Sequence, residues 1–404
     1  MTERYLKHIT PDGISGSVLA YQGVRDSVVL LNGPLGCRYF HAYSAARGIF
    51  RQIPKRSDLW GLQGGAAVSD ALPDGLIRSQ WFGGTPDIPA TNVRYEDYIF
   101  GTREQLHRAL SDIASERRFS LLAVIQTPGT SLLGEGLEDE IAAIAAELGI
   151  PYVFEESPQL SSDLCRGFDA STVRLLERVL GRRNGRAVAP RRKSVNLFGL
   201  SLFERYPEGN LEELKRLLGL CGITVNCALS MGCGVDALRA IPEASLNVGV
   251  FPEKCQETLK WLSEAWGMPA WACEGLPIGF AATEAFIRAI CERVGADCGP
   301  AMEDVRRARA RAYYFIAKNT QGNGIPKNMR YAVEGEYSML HGYISFMTGY
   351  LGVKAACIHP LYPECGQCRR QVEAQARRWR MEAALEADIM EAQDDDVLDR
   401  KSVV

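Results

Sequence analysis

The sequence predicts an α/β protein of three Rossmann-like domains, with parallel sheets flanked by helices. Three observations carry this. Eight short apolar runs alternate with segments of helical periodicity. The runs are continuously apolar, as strands buried on both faces are. The chain has 404 residues, more than one hydrophobic core usually serves.

The strands are expected at 27–31 (SVVLL), 121–126 (LLAVIQ), 152–155 (YVFE), 195–200 (VNLFGL), 223–226 (ITVN), 246–251 (LNVGVF), 331–335 (YAVEG) and 355–359 (AACIH). Amphipathic helices lie between them. In 138–148, Ile141, Ile144, Ala145 and Leu148 share one face; in 281–294, Phe286, Ile287, Ile290 and Val294 do. Asn210 followed by Glu213 reads as a helix N-cap with a capping acid. The Arg-, Gly- and Pro-rich stretch 181–193 reads as a linker, solvated rather than nucleic-acid binding. A second break falls near Gly295–Pro300. The expected domains are 1–185, 186–298 and 299–404, the last ending in a charged helical segment from about residue 364 with an acidic end at Asp394–Asp396.

Composition narrows the function class. Hydrophobic residues make up 46% and charged residues 24%, as in ordinary globular proteins, and a net charge of −3 gives no electrostatic case for nucleic acid. The opening MTERYLKHITPDG lacks the apolar region of a signal peptide, and no run of eighteen apolar residues exists, so a cytoplasmic protein without membrane contact is expected. Twelve cysteines in a reducing compartment read as buried thiols or metal ligands rather than disulfides. Cys221, Cys255, Cys273 and Cys291 sit in apolar or helix-like contexts and read as small core residues.

The most informative motif is VVLLNGPLGCRYFH, residues 28–41. A buried strand runs into a turn of Gly33, Pro34 and Gly36, and Cys37 stands where a helix begins. Glycines let a backbone approach a bulky ligand, and free N–H groups favour a thiolate and the sulfides of a cluster. A tight turn with a buried thiol is the plain alternative.

This Gly-Pro-x-Gly-Cys loop after a buried strand resembles the signature loop of nitrogenase component 1-like proteins, a family that includes dark-operative protochlorophyllide reductase subunits. Other segments follow in the same order: 95–106 (YEDYIFGTREQL), 126–141 (QTPGTSLLGEGLEDEI), 236–250 (DALRAIPEASLNVGV) and 275–290 (GLPIGFAATEAFIRAI). The resemblance implies that Cys37 ligates a cluster, with Gly33, Pro34, Gly36 and Thr127 around it. It also implies an iron–sulfur cofactor, [4Fe–4S], at a subunit interface. The implied partners are an identical or homologous component 1-like subunit and an ATP-dependent iron–sulfur reductase dimer.

The sequence departs from the family pattern. Of three cluster cysteines usual in a family subunit, only Cys37 is present. The earlier place falls near Asp12–Ile14 and the later one at Thr127, before Pro128. The nitrogenase cofactor cysteine would fall near Phe251, so dinitrogen reduction is not expected. One thiolate cannot hold a four-ligand cluster, so two copies of Cys37 across a two-fold axis are expected, completed by Asp12, a partner or another site. Asp12 reads first as a turn residue before Gly13; a carboxylate replacing a thiolate is the alternative.

A second constellation, 355–370, holds Cys357, His359, Cys365 and Cys368. The C-x2-C pair Cys365 and Cys368 suits a metal, and an inert pair starting a helix is the alternative. His359 falls where the nitrogenase α subunit places its cofactor histidine, so the resemblance makes it the catalytic candidate, facing an interdomain cleft and sharing no metal with the pair. A strand's carboxyl end suits ligand binding. SMGCGVDA, 230–237, has the skeleton of a dinucleotide fingerprint but lacks the later acid, and in the family it is a strand–helix turn. No Walker A sequence occurs. RRARARAYY, 306–314, reads as a solvated helix face. The expected function is the catalytic subunit of a nitrogenase-like reductase. The alternative is a non-catalytic scaffold that holds a metal cluster and hands it on.

Overall fold

The computed structural model describes residues 11–34, 37, 88–116, 118–156, 162–183, 193–202, 204, 206–320, 329–361 and 366–386. Gly36 and Cys365 lie outside them.

The first sheet consists of β1 (Ser27–Asn32), β2 (Leu121–Gln126) and β3 (Tyr152–Glu155), all parallel, in the order β1-β2-β3. Alternate residues serve opposite faces. Val28, Leu30, Leu122 and Val124 pack on Leu106, Leu110 and Ile141. These last belong to the helices Arg103–Glu116 and Glu138–Leu148. Val29, Leu31, Ala123 and Ile125 pack on the other side against α1 (Gly13–Gln22) and α2 (Leu164–Leu180). Both helices are capped by aspartates: Asp12 accepts from Ser15 N and Asp163 from Arg166 N, each at 2.9 Å. The helices cross at two glycines. A Cβ on Gly16 would lie 2.1 Å from the Leu164 carbonyl, and one on Gly167 2.1 Å from that of Gly13. Only glycine permits this approach, and it brings α1 and α2 into one layer between the first and second sheets.

The second sheet holds β4 (Ser194–Phe198), β5 (Thr224–Ala228), β6 (Leu246–Gly249) and β7 (Ala270–Ala272), parallel in the order β5-β4-β6-β7. The polar residues inside it are paired: Asn196 Nδ2 donates to Asn247 Oδ1 at 2.8 Å, and Asn226 Nδ2 to Asn196 Oδ1 at 2.9 Å. The expected cap at Asn210 is corrected. Helix α3 spans Pro207–Leu220 with Pro207 in its first turn, so Asn210 lies inside it. Proline's fixed φ and missing N–H suit a helix start, which overrides the capping signal three residues on. The helix Gly299–Thr320 packs Ala301 and Val305 into this domain's core, and Arg216 bonds Asp304 at 2.6 Å.

The third sheet pairs β8 (Arg330–Gly335) and β9 (Lys354–Pro360) in parallel. It is covered by the helices Tyr337–Ile344 and Gly366–Trp379, through Leu340, Ile344, Cys368 and Val372. At the seam between the second and third sheets Lys254 is 3% exposed, ion-paired with Glu204 and with Glu336 at 3.1 Å. Glu253 beside it accepts from Ser338 Oγ at 2.7 Å. Among the described residues no helix is long and apolar enough to cross a membrane.

Candidate functional site

The loop that carries Cys37 leaves the carboxyl end of β1, where ligands of parallel sheets usually bind. Asn32, fully buried, organises it. Its Nδ2 donates to Thr102 Oγ1 at 3.0 Å, and its Oδ1 accepts from Thr91 Oγ1 at 2.9 Å. Its carbonyl accepts from Thr127 N at 3.1 Å, Thr127 Oγ1 at 3.2 Å and Thr130 Oγ1 at 2.7 Å. Thr91 in turn accepts from Gly33 N at 3.0 Å. Thr102 is anchored further by Glu135, whose carboxylate accepts its hydroxyl at 2.6 Å and its N–H at 2.7 Å. A Cβ on Gly33 would fall 2.3 Å from Thr127, so glycine is required there. Pro34 follows, and its carbonyl accepts from Cys37 N at 3.2 Å, closing the turn.

Thr127 is therefore a wall of this loop rather than an open donor. It is fully buried and caps the short helix Pro128–Ser131 reciprocally with Thr130. The Cys37 thiol is partly exposed and raised above its ordinary pKa, first by burial and second by the Asp12 carboxylate. Tyr98 is raised by burial and by Cys37. Asp12, Cys37 and Tyr98 thus share one electrostatic environment. Asp12 does the structural work expected of it, with Oδ1 accepting from Ser15 N at 2.9 Å and Ser15 Oγ at 3.0 Å. Its charge also acts on the Cys37 thiol, raising it. Beside Asn32 in register, the side-chain amide of Gln126 is fully buried with neither atom hydrogen-bonded. An orphaned amide at the sheet's carboxyl end marks a place where another polar group belongs.

Next to this loop lies an apolar surface that the sequence reading missed: Tyr95, Ile99, Phe100 and Leu132 are 79%, 65%, 86% and 87% exposed. They flank Tyr98 and Gly129, which touch each other. Exposed aromatic residues at helix ends carry no periodic signal, so only the fold gathers them.

His359 lies near the carboxyl end of β9, and Glu334, its register partner on β8, meets its Nδ1 at 3.2 Å. Cys357 is fully buried in the strand. The Cys368 thiol, also buried, donates to Glu253 Oε2 at 3.9 Å. Among the described residues no three His, Cys, Asp or Glu side chains converge as a metal site requires. In the 230–237 segment, Gly234 opens a helix of five residues, Val235–Arg239.

The sequence model described as "Nitrogenase component 1 type Oxidoreductase" matches residues 13–398. The chain belongs to the nitrogenase component 1 type oxidoreductase family. This component 1-type chain is 28% identical over 257 residues to one chain of the light-independent protochlorophyllide reductase of Synechococcus sp. (strain WH7803), covering 60% of the chain and 47% of that protein. To the equivalent protein of Chlorobium limicola it is 30% identical over 222 residues, 52% and 39% of the two chains. It spans about half the length of the curated relatives it matches. A solved structure titled "Nitrogenase Cp1 at pH 6.5" superposes with a TM-score of 0.61 at 16% identity, over 87% of this chain and 62% of that one. A second, "Nitrogenase Cp1 at pH 5", gives 0.60 at 16% identity, over 92% and 70%. This likeness establishes the fold: α/β, with parallel sheets flanked by helices.

Proposed function

We propose that the chain is the electron-accepting catalytic subunit of a nitrogenase-like reductase, working as a dimer with an identical or homologous chain. The observation that supports this is the placement of Cys37 just past the end of β1, where the buried Asn32 network holds Gly33 and the Asp12 charge acts on the thiol. Each chain offers one thiolate and one carboxylate, half of a four-ligand set, so the donors fit an iron–sulfur cluster shared between two chains. Cys37, with Asp12, would hold it. Such a cluster, when bound, supplies one-electron transfer.

The chain's own residues do the rest. Cys37 gives up a proton on binding metal, and its raised pKa makes loading pH-dependent. Asn32, Thr91 and Thr127 hold Gly33 at the start of the loop. The apolar surface around Phe100 suits a protein partner, here an ATP-dependent iron–sulfur reductase. Glu334 orients the imidazole of His359 toward a substrate between the domains.

One observation favours a second reading, a scaffold that holds a metal cluster and transfers it: of the family's three cysteine places, only that of Cys37 is filled. Mixing the cluster-loaded chain with a reduced ATP-dependent iron–sulfur reductase separates the two. The reductase reading expects ATP-dependent reduction of the cluster, followed by electron paramagnetic resonance. No reduction, with cluster release to an apo-acceptor, supports the scaffold.

A further inference from the structure

On the face of the first sheet turned away from α1 and α2, the helices Arg103–Glu116 and Glu138–Leu148 lie side by side, and a groove of about 760 Å³ lies between them. Part of its lining is apolar: Ala143 and Ile144 on one helix, Ala114 on the other, with Phe100 and Leu148. Residues seven apart on a helix fall two turns apart on the same side. Glu140 and Glu147 stand in this relation, and both line the groove, about 10 Å apart along it.

The polar lining asks for a donor. The Gln105 amide nitrogen donates to Asp97 Oδ1, which fixes the orientation of the amide and leaves Gln105 Oε1 buried without a hydrogen bond. Glu140 gives one oxygen to an ion pair with Arg103, and the other, Oε2, is likewise buried and unbonded. Buried acceptors without partners are costly, and a donor entering beside them relieves that cost. The charge agrees. Asp97, Glu104, Glu140 and Glu147 line the groove against Arg103 and His107, and Arg103 is committed to Glu140 and to the Glu135 carbonyl at 3.1 Å. The occupant that fits is cationic, carries N–H donors about 10 Å apart and has apolar length between them. A bare metal ion does not fit, because among the described residues no three ligating side chains converge.

We propose that this groove binds a linear aliphatic polyamine. One terminal ammonium pairs with Glu140 and the other with Glu147, the Gln105 oxygen accepts a further N–H, and the methylene chain lies over Ala143 and Ile144. Each ammonium–carboxylate contact is a charge-assisted hydrogen bond, stronger than a neutral one. A triamine with three- and four-carbon spacers has nine bonds between its terminal nitrogens. Fully extended these reach about 11 Å, at roughly 1.25 Å of advance per bond. A four-carbon diamine has five such bonds and reaches about 6 Å, too short to engage both carboxylates. Cys37 does not line the groove, and the site works whether or not a cluster is bound.

The test is isothermal titration calorimetry of the full chain with spermidine and with putrescine. Spermidine is expected to bind saturably at a single site, and putrescine roughly tenfold more weakly, since it loses one charge-assisted bond. Glu147→Gln should weaken spermidine by a similar factor and leave putrescine bound at Glu140 nearly unchanged. Ala143→Arg, which puts a bulky cation into the groove, should abolish binding. Ala143 and Glu147 are both exposed on their helix, so neither change touches the core. Glu264→Gln, at an exposed acid of the helix Gln256–Trp266 in the second domain, should have no effect. No saturable binding, putrescine as tight as spermidine, or unaltered affinity in Ala143→Arg would overturn the proposal. So would an equal loss in Glu264→Gln, which would mark adsorption to the acidic surface as a whole.

Discussion

Asn32→Ala probes the support of the Cys37 loop. The substitution removes two buried side-chain hydrogen bonds, at 3.0 Å to Thr102 and 2.9 Å from Thr91. The two partners lose unequally. Thr102 still donates to Glu135 at 2.6 Å, so only an accepting role is lost. Thr91 still accepts from Gly33 N at 3.0 Å, but its own hydroxyl proton is left buried without an acceptor. An orphaned buried donor costs about 1–3 kcal/mol. The vacated amide adds a cavity, so the total is roughly 2–4 kcal/mol. Denaturant unfolding followed by intrinsic fluorescence reads this as a lowered midpoint, and anaerobic reconstitution should show reduced iron retention because Gly33 hangs from Thr91. A stability change below about 0.5 kcal/mol would refute the argument, since it would mean that water or a rearranged Thr91 satisfies the site.

Asp12→Asn removes the carboxylate that, after burial, raises the Cys37 thiol; the pH profile of Cys37 alkylation should shift to lower pH, and an unchanged profile would remove Asp12 from the site. Asp169 accepts from Thr258 N at 2.9 Å, Glu257 N at 2.7 Å and Thr258 Oγ1 at 2.6 Å, yet burial outweighs these bonds and raises its pKa from 3.8 to about 6. Because the folded value lies above the unfolded one, stability present below about pH 4 is lost as pH rises through about 6, on the order of 3 kcal/mol. Asp169→Asn should flatten that dependence in pH-dependent thermal unfolding, and an unaltered slope would contradict the assignment.

The strands were legible because parallel strands buried on both faces leave continuous apolar runs; β2, LLAVIQ, is fully buried along its length. β7 was not, because three residues with a half-exposed Trp271 at a sheet edge have no pattern to read. The helix at Pro207 was misplaced because the Asn210–Glu213 pair imitates a cap, while the proline that sets the start stands outside that motif. The Cys37 motif stood out in the sequence because it is local, five residues of one loop. Its support did not: Thr91, Thr102 and Thr130 reach Asn32 from 59, 70 and 98 residues away, and isolated threonines carry no signal of their partners. Thr127 was read as standing at a cluster position, and the fold gives it a capping role there.

The central claim is that Cys37 is the principal protein ligand of an iron–sulfur cluster shared by two chains. Iron and acid-labile sulfide counts with Mössbauer spectra, on anaerobically purified wild-type and Cys37→Ala protein, test it most directly. One [4Fe–4S] cluster per dimer predicts about two irons and two sulfides per wild-type chain. Cys37→Ala should lose both, together with the visible charge-transfer absorption, while keeping its thermal unfolding. Equal iron, sulfide and spectra in the two proteins would contradict the account.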